Sequence, residues 1–288
     1  MKQYLHFVFF AILLYGCKKD NSIPLNNNWT SLLTKDLSFW DKFIGVPHYS
    51  IIGLPDHPKG DGMNGIPLGL NNDPLNVFSV EEIDGELVLH ISGEIYGGLS
   101  TKQEYGNYHF KAEFKWGEQK YEPRLDQKRD NGLLYHAYGL QGAFWNVWMN
   151  SQEFQIQEGD MGDYFALGPV MDIQAENIYT DNEQAWIYNP DKPAQMFGDT
   201  GVSGRCRRIK NMERANWNTL ELICLNNQSI HVVNGKVVMV LNNSRLRNSS
   251  GIFNPLIKGK IQIQSEGAEA YFRNIQIKPI TQIPEPYR

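Results

Sequence analysis

The segment Asn107-Tyr108-His109-Phe110-Lys111-Ala112-Glu113-Phe114-Lys115-Trp116 alternates apolar and polar side chains along its length. In an extended chain successive side chains point to opposite faces. Tyr108, Phe110, Ala112, Phe114 and Trp116 therefore share one face, and His109, Lys111, Glu113 and Lys115 the other. A period of two sustained over the segment describes a half-buried strand; an amphipathic helix would bring its apolar positions back every three to four residues.

Similar segments recur on both sides of it. Residues 77–83 and 86–92 flank Asp84-Gly85, and residues 229–233 and 236–241 flank Asn234-Gly235. Asp-Gly and Asn-Gly tolerate the positive φ angles of a tight two-residue turn, so each pair predicts a hairpin. Residues 217–225, 260–264 and 269–278 supply further strands, at least eight in all. With no repeat, heptad or long amphipathic helix, the pattern predicts an all-β fold, a sandwich or jelly roll.

The chain has 288 residues, a length that one large sandwich can absorb, and a single domain over residues 29–283 is expected. Hydrophobic residues make up 41% and charged residues 20%, the balance of a water-soluble protein with a packed core. A net charge of −5 argues against a nucleic-acid partner, because phosphate binding draws on clustered Lys and Arg. Seven Trp, fourteen Tyr and fourteen Phe suit a sugar-stacking surface and a sandwich core equally well. Residues 44–76, 117–130 and 160–210 concentrate Gly, Pro, Asn and Asp. They are expected to be long loops that wall a groove over one sheet.

The amino terminus carries an export signal. Met1-Lys2 is positive, residues 5–15 form an apolar run too short to span a bilayer, and the run ends Leu14-Tyr15-Gly16-Cys17. That ending resembles a bacterial lipobox, which makes Cys17 the expected lipid anchor of residues 1–17 and the only attachment to a membrane. Residues 18–28 read as a polar tether. Lys18 rather than Asp after the anchor favours the outer membrane, facing either the periplasm or the medium. Export permits a disulfide between Cys206 and Cys224 but does not require one.

Residues 151–160, Ser-Gln-Glu-Phe-Gln-Ile-Gln-Glu-Gly-Asp, are the most informative for chemistry. Strand parity sends Phe154 and Ile156 into the core and Glu153, Gln155 and Gln157 to the opposite face. Glu158 joins them only if a β-bulge re-aims it. A second strip has Ile261 and Ile263 inward with Gln262, Gln264 and Glu266 outward. His136, in the apolar segment Gly132-Leu133-Leu134-Tyr135-His136-Ala137-Tyr138, precedes the Glu153 strand and is a candidate general base. A histidine in such a strand is also a common hydrogen-bonded structural residue. No Ser-His-Asp set, phosphate loop or paired metal-ligand spacing is present. No cofactor is implied, although carboxylates with His136 could hold a hard divalent ion.

On these residues the chain resembles the 3-keto-disaccharide hydrolase family. The resemblance runs from Trp29-Thr30-Ser31-Leu32-Leu33 and Asp36-Leu37-Ser38-Phe39-Trp40 through Gly98-Leu99-Ser100-Thr101-Lys102, Tyr105-Gly106-Asn107-Tyr108 and Asp130-Asn131-Gly132-Leu133-Leu134-Tyr135. It continues through Glu153-Phe154-Gln155-Ile156-Gln157, Val233-Asn234-Gly235-Lys236, the strand Gly259-Lys260-Ile261-Gln262-Ile263-Gln264 and Phe272-Arg273-Asn274-Ile275. Ser265-Glu266-Gly267 departs from the Asp-His-Gly of many members. The resemblance implies a concanavalin A-like jelly roll of two antiparallel sheets with a saccharide or glycoside in a groove. It also implies cleavage of 3-keto-glucosides by proton abstraction and elimination followed by hydration. Under that chemistry Glu153 and His136 would transfer protons, Gln155 and Lys102 would orient substrate oxygens, and Glu158 would be an acid or ion ligand. Gln157, Gln264, Glu266 and Arg273 complete the substrate-binding candidates.

Two other functions fit the same fold. Glu153, Gln155 and Glu158 match the Glu-x-Asp-x-x-Glu spacing of laminarinase-type glycosidases with Gln in place of Asp, which argues against a conventional endo-glycosidase of the retaining kind. A carbohydrate-binding lipoprotein without catalysis would use the same polar strip as binding surface alone.

Overall fold

The computed structural model describes residues 28–54, 56–198 and 200–288. The export signal, Cys17 and most of the expected tether lie outside the described residues. Two antiparallel sheets, of twelve and eight strands, make up nearly all of the described structure, so the expected all-β sandwich is what the chain forms. In the larger sheet, Tyr108–Lys120 is central, paired with Asn218–Leu225 on one side and Ala268–Pro279 on the other. The smaller sheet runs Arg205–Cys206, Tyr164–Leu167, Asn150–Gln155, Gly132–Tyr138, Lys260–Ser265, Gly97–Thr101, Trp40–Ile44, Gly69–Leu70.

The alternation that defines the central strand is what makes the two layers pack. Tyr108, Phe110, Ala112 and Phe114 are buried against Leu133, Tyr135, Phe154, Ile261 and Ile263 of the smaller sheet. Both Asx-Gly dipeptides form the hairpins they predict. Asp84 and Gly85 sit at φ 51° and 80°, and Asn234 and Gly235 at 51° and 75°. Their flanking strands close through Ile83↔Glu86 and Val233↔Lys236.

One expectation is corrected. Residues 160–210 hold five strands, Tyr164–Leu167, Val170–Thr180, Glu183–Tyr188, Ala194–Phe197 and Arg205–Cys206, rather than one long loop. Met171, Ile173 and Ala175 alternate toward a second core cluster with Tyr188, Phe197, Met239 and Leu241. Turns such as Asp181-Asn182, at φ 51° and 64°, separate these strands and dilute the alternation with the residue types of loops. Cys206 and Cys224 are both buried free thiols.

The two sheets are tied by a polar contact inside the core. Phe154 stacks on His231 at 4.4 Å with the rings 8° from parallel. His231 meets the Tyr135 hydroxyl at 3.2 Å through Nε2 and the Gly162 carbonyl at 3.1 Å through Nδ1. Burial holds the His231 pKa down to about 4, so the ring is neutral. Truncating Phe154 to Ala is expected to destabilise the domain by about 3–5 kcal/mol through the lost burial and the cavity left behind. Urea unfolding would read this as a lower midpoint at unchanged slope.

Candidate functional site

With Gln152 and Phe154 turned into the core, strand parity leaves Glu153 and Gln155 on the outer face of the smaller sheet. Gln152 is held inside by Ser244 Oγ, to which its Nε2 donates at 3.2 Å, and by the Tyr164 hydroxyl. Lys260–Ser265 repeats the pattern, with Ile261 and Ile263 in the core and Gln264 outside. Between these two strands runs Gly132–Tyr138, which presents a glycine where they need space. A β-carbon on Gly132 would stand 2.2 Å from Gln264 Oε1 and 2.3 Å from Glu153 Oε1. The absent side chain therefore lets these two groups meet above the strand.

They form part of the floor of a cavity of about 370 Å³, within the size range of small-ligand sites. Gln155, Gln157, Asp130, Glu266 and Arg124 complete its polar surface, and Phe144, Trp145, Trp148 and Phe165 stand along its walls. Arg124 comes from the turn that follows Lys120; Tyr121 N donates to the Gly267 carbonyl at 2.8 Å and pins that turn beside Glu266. Its guanidinium forks between two carboxyls, reaching Glu266 Oε1 at 3.2 Å and Asp130 Oδ2. Asp130 also accepts from Gln157 Nε2 at 2.6 Å and from Asn131 N at 3.0 Å.

Three carboxyls buried together, with Arg124 bonded to two of them and Arg205 acting from nearby, disfavour full ionisation. Burial raises Asp130 to about 6 against the pull of Arg124, Gln157 and Asn131. Glu266 is driven well above the carboxylate range by burial and by the neighbouring Asp130 charge. Glu153 is 5% exposed and makes no hydrogen bond or ion pair among the described residues. Burial first, then Asp130, pushes its pKa well up and so favours the neutral, protonated form. Gln264 Oε1 is buried without a partner, and the proton of Glu153, above the same glycine, is a donor suited to it.

Glu153, Gln155, Gln157, Gln264 and Glu266 are thus brought together as parity predicts. The other candidates are placed elsewhere. His136 sits at a bulge, at φ 49°, where the pairing with the Glu153 strand shifts between Tyr135 and Tyr138. The bulge turns its ring into the core, 1% exposed, edge-on to Tyr108 and Tyr135, and burial lowers its pKa to about 4. No bulge re-aims Glu158 toward the others. The strand ends at Gln155, and Glu158 lies outside the cavity, 43% exposed and bonded to Arg129 Nη2 at 2.7 Å. Lys102 donates to the Ser38 carbonyl at 2.7 Å, also away from the cavity. Arg273 belongs to the other sheet, where it pairs with Glu113 at 2.6 Å and Glu86 at 3.0 Å.

Arg124, Asp130 and the aromatic walls were not among the sequence candidates. Asp130 opens the Asp130-Asn131-Gly132 motif, and the run Phe144-Trp145-Asn146-Val147-Trp148 is dense in aromatics. Arg124 carries no comparable signal. Among the described residues no group of three or more His, Cys, Asp or Glu side chains gathers as metal ligands. Asp130 and Glu266 already face a guanidinium, so the donor set does not fit a divalent ion.

The model of the 3-keto-alpha-glucoside-1,2-lyase-like domain matches residues 28–278 of the chain. No curated protein matches it. Among solved structures it is similar to a provisionally assigned glycosyl hydrolase of Parabacteroides distasonis, at 16% identity and a TM-score of 0.46, over 88% of this chain and 94% of that one. A second provisionally assigned glycosyl hydrolase of that organism has 19% identity and a TM-score of 0.46, over 88% and 100%. A GH16 protein of the Bacteroides ovatus mixed-linkage glucan PUL, solved with a G4G4G3G product, has 9% identity and a TM-score of 0.45, over 88% and 99%.

The Glu153 environment has a thermodynamic signature. A carboxyl whose folded pKa is raised contributes full stability below its unfolded pKa and loses it as pH rises through the folded value. Glu153→Gln removes this loss. The variant is expected to match the parent in thermal unfolding near pH 4 and to exceed it by a margin that widens toward pH 8. An equal margin at both pH values would mean that Glu153 is not held neutral.

Proposed function

The chain belongs to the 3-keto-alpha-glucoside-1,2-lyase-like family, and on that premise we propose that it is a carbohydrate-active enzyme that cleaves 3-keto-glucosides by elimination and hydration. The observation that carries the reading is the cavity floor, where a neutral carboxyl, an arginine-held carboxyl pair and three glutamine amides converge.

A ketone at C3 makes the C2 proton acidic. The Asp130–Glu266 pair, holding one negative charge against Arg124, serves as the base that removes it. The electron pair moves into the C3 carbonyl, and the resulting enolate oxygen is stabilised by the Arg124 guanidinium and the amides of Gln155 and Gln264. Collapse of the enolate forms C1=C2 and breaks the bond from C1 to the leaving oxygen, which takes the Glu153 proton. Water then adds across C1=C2, its oxygen to C1 and a proton to C2, and both carboxyl groups return to their starting states. The net reaction is hydrolysis without a covalent enzyme intermediate. A retaining glycosidase needs two carboxyls about 5 Å apart astride the bond, and Glu158, engaged with Arg129 outside the cavity, does not partner Glu153 in that role.

Upstream of the domain, the Leu14-Tyr15-Gly16-Cys17 sequence supports export and lipid anchoring at Cys17. The enzyme would then act from the outer membrane on saccharides of the periplasm or medium.

Release of the leaving group from 3-keto-glucosides tests the reading. Glu153→Gln and Asp130→Asn are each expected to lower kcat by about 10²–10⁴-fold, whereas Lys102→Met and Glu158→Gln keep parental rates. Activity should fall on the acid side as the Asp130–Glu266 pair gains a proton at about pH 6, and on the alkaline side as Glu153 loses its own. Parental rates in both Glu153→Gln and Asp130→Asn would remove the proposed chemistry.

A further inference from the structure

The ladder of the smaller sheet sets a second arginine in line with Glu153. Glu153 stands opposite Phe165 on the neighbouring strand, and Phe165 opposite Arg205 on the strand beyond. Directly opposed residues of antiparallel strands share a face, and neighbouring strands lie about 4.8 Å apart. Glu153, Phe165 and Arg205 are therefore one row on the outer face. Phe165 lines the cavity, and the Arg205 guanidinium lies over its ring, 5.1 Å from the centroid. Arg205 is itself no part of the cavity lining.

Its direction is fixed by the acids that hold it. Asp163 is fully buried, and its Oδ2 accepts from Arg205 Nε at 3.0 Å and Nη2 at 2.6 Å. Asp163 Oδ1 is taken by Arg208, through N at 2.9 Å and Nη1 at 2.8 Å. Asp160 reaches Arg205, Arg208 and Lys128 at 3.3, 3.1 and 2.7 Å. Among the described residues these five side chains form no ion pair outside their own group, so three cations face two carboxyls and one positive charge is left over.

Elimination moves a negative charge toward that surplus. At the start the Asp130–Glu266 pair carries the charge against Arg124. The pair then gains the C2 proton while Glu153 gives its own to the leaving oxygen. The charge thus passes to the Glu153 carboxylate, which has no bond to Arg124, and stays there until water restores the proton. The charged groups that face Glu153 are Arg124, Asp130 and Glu266 on one side and Arg205 on the other. Tyr164, on the adjacent strand, is turned inward onto Gln152. A buried carboxylate with no cation in contact depends on the nearest uncompensated positive charge.

We propose that Arg205, aimed by Asp163, is a positioning residue that acts through Glu153: it stabilises the carboxylate that exists between elimination and hydration. The inference rests on the elimination reading of the cavity.

Two leaving groups test it. Methanol needs a proton to depart from a methyl 3-keto-glucoside, whereas 4-nitrophenolate departs from the nitrophenyl glycoside without one. Arg205→Gln is expected to lower kcat about 10–100-fold for the methyl substrate at unchanged KM, and less than about 3-fold for the nitrophenyl substrate. Its alkaline limb should move to higher pH, because a carboxyl deprived of a nearby cation keeps its proton longer. Arg205→Lys retains the charge and should stay within about 3-fold of the parent on both substrates. Arg207→Gln, whose partners are Asp181 and Glu183, is the control and should match the parent. If Arg205→Gln does not fold, the double variant Arg205→Gln/Asp163→Asn, which leaves no unpaired buried carboxylate at that position, is expected to show the same split between substrates. Equal losses on the two substrates, or none on either, would overturn the role of Arg205 and leave the reading of the cavity standing. Absence of the split in Glu153→Gln would remove the acid itself, and the inference with it.

Discussion

The parity of one strand governs this molecule. Phe154, stacked on His231 between the sheets, cannot leave the core without opening a cavity there. Its neighbours Glu153 and Gln155 are therefore forced outward, since a strand has only two faces. The same logic acts on Lys260–Ser265, where Ile261 and Ile263 hold the strand so that Gln264 faces the site. The polar floor of the cavity is thus set by hydrophobic burial on the reverse side of the sheet. Gly132 completes it by leaving room for side chains from two strands to meet.

On that floor, charge is arranged by burial, by Arg124 and by the nearby charge of Arg205. Arg124 offers its planar fork to two carboxyls and balances one negative charge. The third, Glu153, forms no ion pair among the described residues, and burial together with Asp130 raises its pKa against the pull of Arg205 and Arg124, which favours the protonated form. Two chemically identical side chains, Glu153 and Glu158, consequently differ in state. Glu158 is held ionised by Arg129, its pKa lowered, in partial contact with solvent. The contrast is one of environment alone, because Glu158 lies outside the cavity that Glu153 lines.

The features legible in the sequence were those that depend on local periodicity. The hairpins at Asp84-Gly85 and Asn234-Gly235, the central strand and the outward face of Glu153, Gln155 and Gln157 follow from residue type and a period of two. His136 was misplaced because a bulge inverted parity at that one residue, and a bulge is a property of pairing between strands. Arg124 was missed because its turn has no period; it is positioned by a backbone bond to Gly267, distant in the chain. Residues 160–210 read as loop because their turns are rich in polar residues and the far half of the long strand Val170–Thr180 is exposed, so alternation at Met171, Ile173 and Ala175 was outweighed.

The sequence alone determined the fold class, the pairing of its two Asx-Gly hairpins and, in the strands it revealed and where no bulge intervenes, which residues point away from the core, because these follow from steric preferences and burial acting over a few neighbouring residues. Only the tertiary structure decided which outward groups share a cavity, which carboxyl keeps its proton and which arginine faces it. Those outcomes depend on distances between segments far apart in the chain and on the desolvation that appears only once the sheets have packed.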